Sequence, residues 1–186
     1  SIVGRGDILR KINFPKYIVV LSAMTSSLIS LSINLVVVFI FALFTGVKFT
    51  AWVLLLPLNI AQLFILAFGI ALFLSTLYVK FRDIGHIWEV VLQVLFYAMP
   101  VMYPITQVAN VKILGIEAQK IMMLNPIAQT IQDIRHNLIS PSTVPTVWSI
   151  EGNIWISLIP IALTAIAFII GLTYFRKNSK KFAEIL

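Results

Sequence analysis

The residues in this sequence that could do chemistry are few, and their spacing does not gather them into a reactive centre. There are two histidines, His86 and His136, seven carboxylates and no cysteine. Thiol nucleophiles, thiolate metal sites and disulfide frameworks are therefore excluded. No GxxxxGK[ST] stretch occurs, so nothing can cradle a nucleotide triphosphate in the P-loop manner. Asp133 and His136 stand three apart and become neighbours if that stretch is helical, as an expected surface pair and not an acid–base couple. The other polar candidates are uncharged and sit inside long apolar runs: Ser27, Ser30, Ser32, Asn34, Asn59 and Gln62. Such groups either line a weakly polar route or bond one helix to another, and the second role is expected for most of them.

The elements that must carry these residues follow from composition. Of 186 residues, 60% are hydrophobic and 11% charged, and the mean hydropathy is +0.99. A soluble domain carries about a quarter charged residues, so a monomeric soluble globule is excluded, and disorder with it. Four runs contain no charged residue at all: 17–47, 49–79, 90–111 and 152–175. Roughly 20 apolar residues in a helix cross a hydrocarbon core about 30 Å thick. All four are long enough. The run 90–111 contains Pro100 and Pro104, so its far end should kink or break. A secretory signal does not explain these runs, because its apolar region is only about 7–15 residues long and does not recur. The sequence opens at Ser1 on a polar, basic segment, and the expectation is a chain that continues a natural N-terminal part.

Alternating four spans puts residues 1–16, the loop 80–89 and the tail 176–186 on one side. That side holds ten of the fourteen basic residues: Arg5, Arg10, Lys11, Lys16, Lys80, Arg82, Arg176, Lys177, Lys180 and Lys181. With Asp7, Asp83, Glu89 and Glu184 its net charge is +6, against +1 opposite, and the positive-inside rule makes it cytoplasmic. The same split among short loops argues against a nucleic-acid partner. Aromatic rings with a polar atom favour the headgroup level. Tyr17, Tyr78, Trp88 and Tyr174 fall at inner ends, and Trp52, Tyr103, Trp148 and Trp155 at outer ends. Tyr97 alone falls deep in a span.

Two segments do not span. Residues 121–131, IMMLNPIAQTI, are apolar but short, and Pro126 disfavours helical geometry at Asn125. The expectation is a re-entrant pair of short helices meeting at Asn125 and Pro126, within an outer region 112–151. Residues 7–15, DILRKINFP, form an amphipathic piece with Asp7 as N-cap and Pro15 as stop. Taken alone, such a segment either lies on anionic lipid or docks into a cytoplasmic partner.

An ordered set of motifs gives these pieces a common origin. RKINFP (10–15), YVKFRDIGHIW (78–88), FYAMPVMYPI (96–105), LNP (124–126) and YFRKNSKKFAEIL (174–186) occur in an order that resembles the permease subunit of type-2 ABC exporters. The resemblance covers essentially the whole chain and is to the branch that exports O-antigen, capsule or teichoic acid. It implies an all-α integral membrane protein with spans three to six of a six-span permease, and a re-entrant helical pair before the last span. It also implies a homodimer in the bacterial plasma membrane, driven by a separate ATPase that holds ATP and magnesium, with no cofactor on this chain. By that resemblance residues 7–15 are the coupling helix, with Asp7, Ile8, Arg10, Lys11 and Phe14 facing the ATPase. Arg82 and Asp83 are either a second contact there, or a topological charge and an N-cap for a helix beginning at Ile84.

The cargo implied is a lipid-linked glycan passing from cytoplasm to exterior. A sugar chain presents C–H faces on which aromatic rings can stack without desolvating a charge. Tyr97 is the foremost candidate for lining the path, with Phe96, Met99, Met102 and Tyr103 after it; packing between helices is the alternative for each. The nearest competing function is type-2 ABC export of a drug or lipid, and a more distant one is a membrane scaffold without a path. An intramembrane enzyme is disfavoured, because the spans hold no carboxylate or histidine for acid–base work.

Overall fold

The computed structural model describes residues 17–47, 49–81, 83–113 and 115–179. The expected coupling residues Asp7, Ile8, Arg10, Lys11 and Phe14, and also Arg82, lie outside the described residues. Helices dominate: α1 (Tyr17–Phe44), α2 (Leu56–Lys80), α3 (Ile84–Ala98), α4 (Ala118–Met123), α5 (Pro126–Leu138), α6 (Val147–Glu151), α7 (Ile154–Ser157) and α8 (Ile159–Ser179). A two-residue hairpin pairs β1 (Lys112–Ile113) with β2 (Ile116–Glu117), antiparallel, with Lys112 opposite Glu117.

Three helical stretches among the described residues are long and apolar enough to cross a membrane: Tyr17–Phe44, Ala51–Lys80 and Ile154–Ser179. The second includes a 3-10 turn, Ala51–Leu55, ahead of α2, and the third joins α7 to α8. Rich in β-branched residues, α1 is a weak helix former in water. In hydrocarbon the backbone must satisfy itself, and helix is the available solution. Its hydroxyls and amide do likewise. Thr25, Ser26, Ser27, Ser30, Ser32 and Asn34 each donate to the carbonyl four residues back. The expected helix-to-helix role is therefore corrected for Ser27, Ser30, Ser32 and Asn34, whose bonds close on their own helix. At its end Gly46 takes φ +73° while Gly46 N–H and Val47 N–H donate to Leu43 and Ala42 carbonyls, a left-handed glycine cap that β-branched residues could not supply.

The expected span 90–111 needs a larger correction. The helix begins six residues earlier, at Ile84, and ends at Ala98, 15 residues in all, about 22 Å at 1.5 Å per residue. Charge was a poor marker of its start, since His86 and Glu89 lie within it, exposed and 3.9 Å apart at i,i+3. Pro100 sets its end, having no N–H to donate and disfavouring helical geometry at Met99. Past the break the chain makes turns and a single 3-10 turn, Ile105–Val108.

The chain divides into two compact units. Among the described residues, one comprises 17–38, 64–81, 83–90 and 165–179. Its core is Val19, Val20, Leu72, Val79 and Phe175, with Met24, Phe68, Ala71 and Leu172 against it. There α2 and α8 cross at two glycines: a Cβ built on Gly171 would lie 2.0 Å from the Gly69 carbonyl oxygen. Rings flank that crossing, with Phe68 6.1 Å from Phe168 and Phe73 5.2 Å from Tyr174. The other unit comprises residues 39–63 and 91–164. Ile105, Met123 and Val147 are its fully buried apolar centre, and it carries the candidate site.

Candidate functional site

The site is built on α5, a helix that buries its polar face. Asn125 starts it: its side-chain oxygen accepts the Ile127 N–H at 2.9 Å, and Pro126 takes the first helical position, where a missing N–H costs nothing. The turn expected at Asn125 and Pro126 is thus where α4 gives way to α5. Gln129, Asp133 and Asn137 follow at i, i+4 and i+8, one stripe of a helix, and all three are buried.

In the second unit the stripe meets the polar pair of α2. Gln62 Nε2 donates to Gln129 Oε1 at 2.7 Å, and Asn137 Nδ2 donates to Asn59 Oδ1 at 2.8 Å. Gln129 Nε2 donates onward to Asp133 Oδ2. Asn59 and Gln62 therefore do bond one helix to another. Each such bond contributes about 1 kcal/mol net, but losing one partner costs about 1–3 kcal/mol, because the other is left buried and unsatisfied. Two oxygens on α5 are already in that condition: Gln132 Oε1 and Asp133 Oδ1 are buried with no hydrogen-bond partner.

Burial raises the Asp133 carboxyl from its ordinary 3.8 to about 6, against the opposing pull of the Gln129 bond and of His136. The expected surface pair of Asp133 and His136 is corrected accordingly. Asp133 is 8% exposed, and His136 is turned to a different partner, its Nδ1 lying 2.6 Å from the Val144 carbonyl oxygen. A carbonyl can only accept, so Nδ1 carries the proton. The sign of the pH effect follows. A carboxyl whose pKa is raised by folding costs nothing below about pH 4, where both states are protonated, and costs most above about pH 6. The roughly two-unit shift corresponds to about 3 kcal/mol. In the complete permease, melting temperature should rise as pH falls from 7.5 to 5. Asp133→Asn, which keeps an oxygen for Gln129, should flatten that slope and raise stability at pH 7.5. An unchanged slope in the variant would remove Asp133 as its source.

Around this stripe lies a cavity of about 320 Å³, lined by the amides and Asp133, by Trp52, Trp148 and His136, and by Leu55, Leu58 and Ile161 among others. The Trp52 and His136 rings meet edge to face at 5.8 Å. On the same helix, Arg135 reaches the break after α3, donating to the carbonyls of Pro100 at 2.6 Å and of Val101. It thereby fixes the segment that carries the expected path residues. Phe96 and Tyr97 are 44% and 68% exposed, and Met102 is 75% exposed. The two rings stand edge to face at 5.5 Å. Tyr97 is the penultimate residue of α3 rather than a mid-helix one, and Tyr103 O–H closes on the Ala98 carbonyl at 3.5 Å. Met99, at 5% exposed, is buried within this unit. Asp83 is exposed, and its carbonyl accepts the Ile87 N–H at 3.2 Å, consistent with a helix starting at Ile84.

The ABC-2 type transporter family profile matches residues 2–139 of the 186. This chain belongs to the ABC-2 type transporter family. With its long apolar helices, the ABC-2 chain is a multi-pass, all-α integral membrane protein. It is similar to two proteins of Klebsiella pneumoniae named O-antigen export system permease protein RfbA, at 28% and 25% identity, each across 100% of this chain and 66% of the relative. A Myxococcus xanthus protein of the same name is 27% identical over 59% of this chain and 42% of its own length. The ABC-2 chain thus spans somewhat under two thirds of the relatives it matches.

The resemblance drawn from the five motifs agrees with this family, although the last motif, 174–186, lies outside the matched residues, and the α5 stripe is not among those motifs. A signal for it does exist in the residues: the i,i+3 pair Asn59 and Gln62 in an apolar run, and i,i+4,i+8 amides and carboxyl after LNP.

Proposed function

We propose that this chain is the membrane-spanning part of a permease that exports a lipid-linked polysaccharide across the bacterial plasma membrane. The observation that carries the reading is the similarity, over the full length of this chain, to two permeases named for O-antigen export. Two copies form the pathway and a separate ABC ATPase, with its ATP and magnesium, supplies the work. Both ends of this chain lie in the cytosol, a reading that the charge split supports. Residues 7–15 receive the ATPase motion, and Arg82 and Asp83 are a secondary contact that docking does not depend on. That motion reshapes a path along the end of α3, where Phe96, Tyr97, Met102 and Tyr103 offer ring and thioether surfaces to the C–H faces of sugars. Residues 121–131 form the outer, re-entrant closure of that path.

Deleting the gene in its own host tests this directly. Surface glycan should disappear while lipid-linked glycan accumulates inside, and the complete wild-type permease should restore export. A permease with Arg10 and Lys11 both changed to Glu should fail to restore it and should lose the ATPase on co-purification, whereas Arg82→Glu should retain it. Surface glycan unaffected by the deletion would overturn the reading.

A further inference from the structure

We propose that the cavity between the α5 stripe, α2 and α6 is a binding subsite for a single uncharged sugar ring, separate from the path at the end of α3. At about 320 Å³ it is at the small end of small-molecule sites, about 300–1,000 Å³, so it suits one ring and not a chain. Trp52 and Trp148, about half exposed, supply aromatic surface of the kind that covers a C–H face, beside the apolar Leu55, Leu58 and Ile161. The same lining holds groups whose hydrogen-bonding capacity is not exhausted. Gln62 gives one N–H to Gln129, and Asn59 uses its oxygen for Asn137. The Gln62 oxygen, the Asn59 N–H groups and the Asn137 oxygen are left over. Asp133 lines the cavity, and its Oδ1 is buried with no partner. Donors and acceptors are thus interleaved, as hydroxyls that both donate and accept require.

The same inventory excludes a phosphate or lipid headgroup. Among the described residues no lysine or arginine lines the cavity, the Arg135 guanidinium is spent on the Pro100 and Val101 carbonyls, and a carboxylate faces the space. An anion would be desolvated there beside the Asp133 carboxyl, with no described lysine or arginine to meet it. The choice of a sugar over other hydroxyl-bearing molecules rests on the export reading above.

The test uses the complete permease with its ATPase in nanodiscs, and saturation-transfer NMR with the methyl glycosides of glucose, galactose, mannose and N-acetylglucosamine. At least one should bind saturably, and inorganic phosphate should not displace it. Trp52→Ala and Trp148→Ala should weaken that binding tenfold or more, while Trp148→Phe, which keeps a ring, should retain most of it. No saturable glycoside binding, displacement by phosphate, or full binding in both alanine variants would overturn the subsite. Loss of surface glycan on deletion and its restoration by the complete wild-type permease, alongside any of those results, would sink the subsite alone. A deletion strain with normal surface glycan would sink the export reading instead.

Discussion

A permease carrying Gly171→Leu should not accumulate as a folded protein, and Gly171→Ala should melt several degrees below wild type. At this crossing α2 and α8 touch backbone to backbone. A Cβ on Gly171 would stand 2.0 Å from the Gly69 oxygen, and one on Gly69 would stand 2.5 Å from Phe168 Cα. No rotamer change relieves either contact, since both obstacles are main chain. The helices must part, and the packing of Phe68, Leu72, Leu172 and Phe175 around them loosens together. Without a hydrophobic drive between helices in lipid, close packing of small residues supplies much of the association. Overpacking costs about 1–3 kcal/mol, and roughly 2–4 °C of melting temperature accompany each kcal/mol in a chain of this size. Gly85→Ala is the internal comparison. Its Cβ would approach the Tyr78 ring at 3.1 Å, and a ring edge can yield. Thermal unfolding of the complete permease in detergent, followed by size-exclusion fluorescence, should rank Gly171→Ala well below Gly85→Ala. Equal melting temperatures would mean that the crossing contributes little.

That crossing also marks where the sequence stops being readable. Hydropathy located α1, α2 and α8 because a membrane span is decided locally, by the solvent around each turn of helix. The break at Pro100 and the cap at Asn125 were likewise local, each set by one residue's missing donor or spare acceptor. The charge-free run begins six residues after α3 does because it is a proxy for burial in lipid, whereas the N-cap reading of Asp83 placed the helix start at Ile84, with His86 and Glu89 inside it. The hairpin at 112–117 left no trace, as two-residue strands are too short for any alternation to register. Gly69 and Gly171 are a hundred residues apart, and nothing in either neighbourhood says that they meet. The α5 stripe lies between these extremes. Its spacing was visible, but a polar helix beside apolar spans reads as surface until Asn59 and Gln62 are known to face it.

Arg135→Ala should free the segment after α3, with amide hydrogen exchange across residues 99–104 rising tenfold or more. Every helix ends with carbonyls that lack a helical partner, and α3 ends early, at a proline, inside a chain whose surroundings are mostly apolar. Arg135 answers that problem from α5: two of its N–H groups take the Pro100 and Val101 carbonyls, and its charge sits favourably at a helix C-terminus. Hydrogen bonds from a charged group contribute about 1.5–3 kcal/mol each, so the pair is strong enough to hold a segment that has no regular structure of its own. Arg135→Lys keeps the charge but loses the planar fork, and it should fall between wild type and alanine. Exchange at the α2–α8 crossing should stay unchanged in both variants, which separates release of this segment from general unfolding. If residues 99–104 exchanged as slowly without the guanidinium, their order would have to come from Ile105 and Met99 packing alone, and α5 would have no hold on the end of α3.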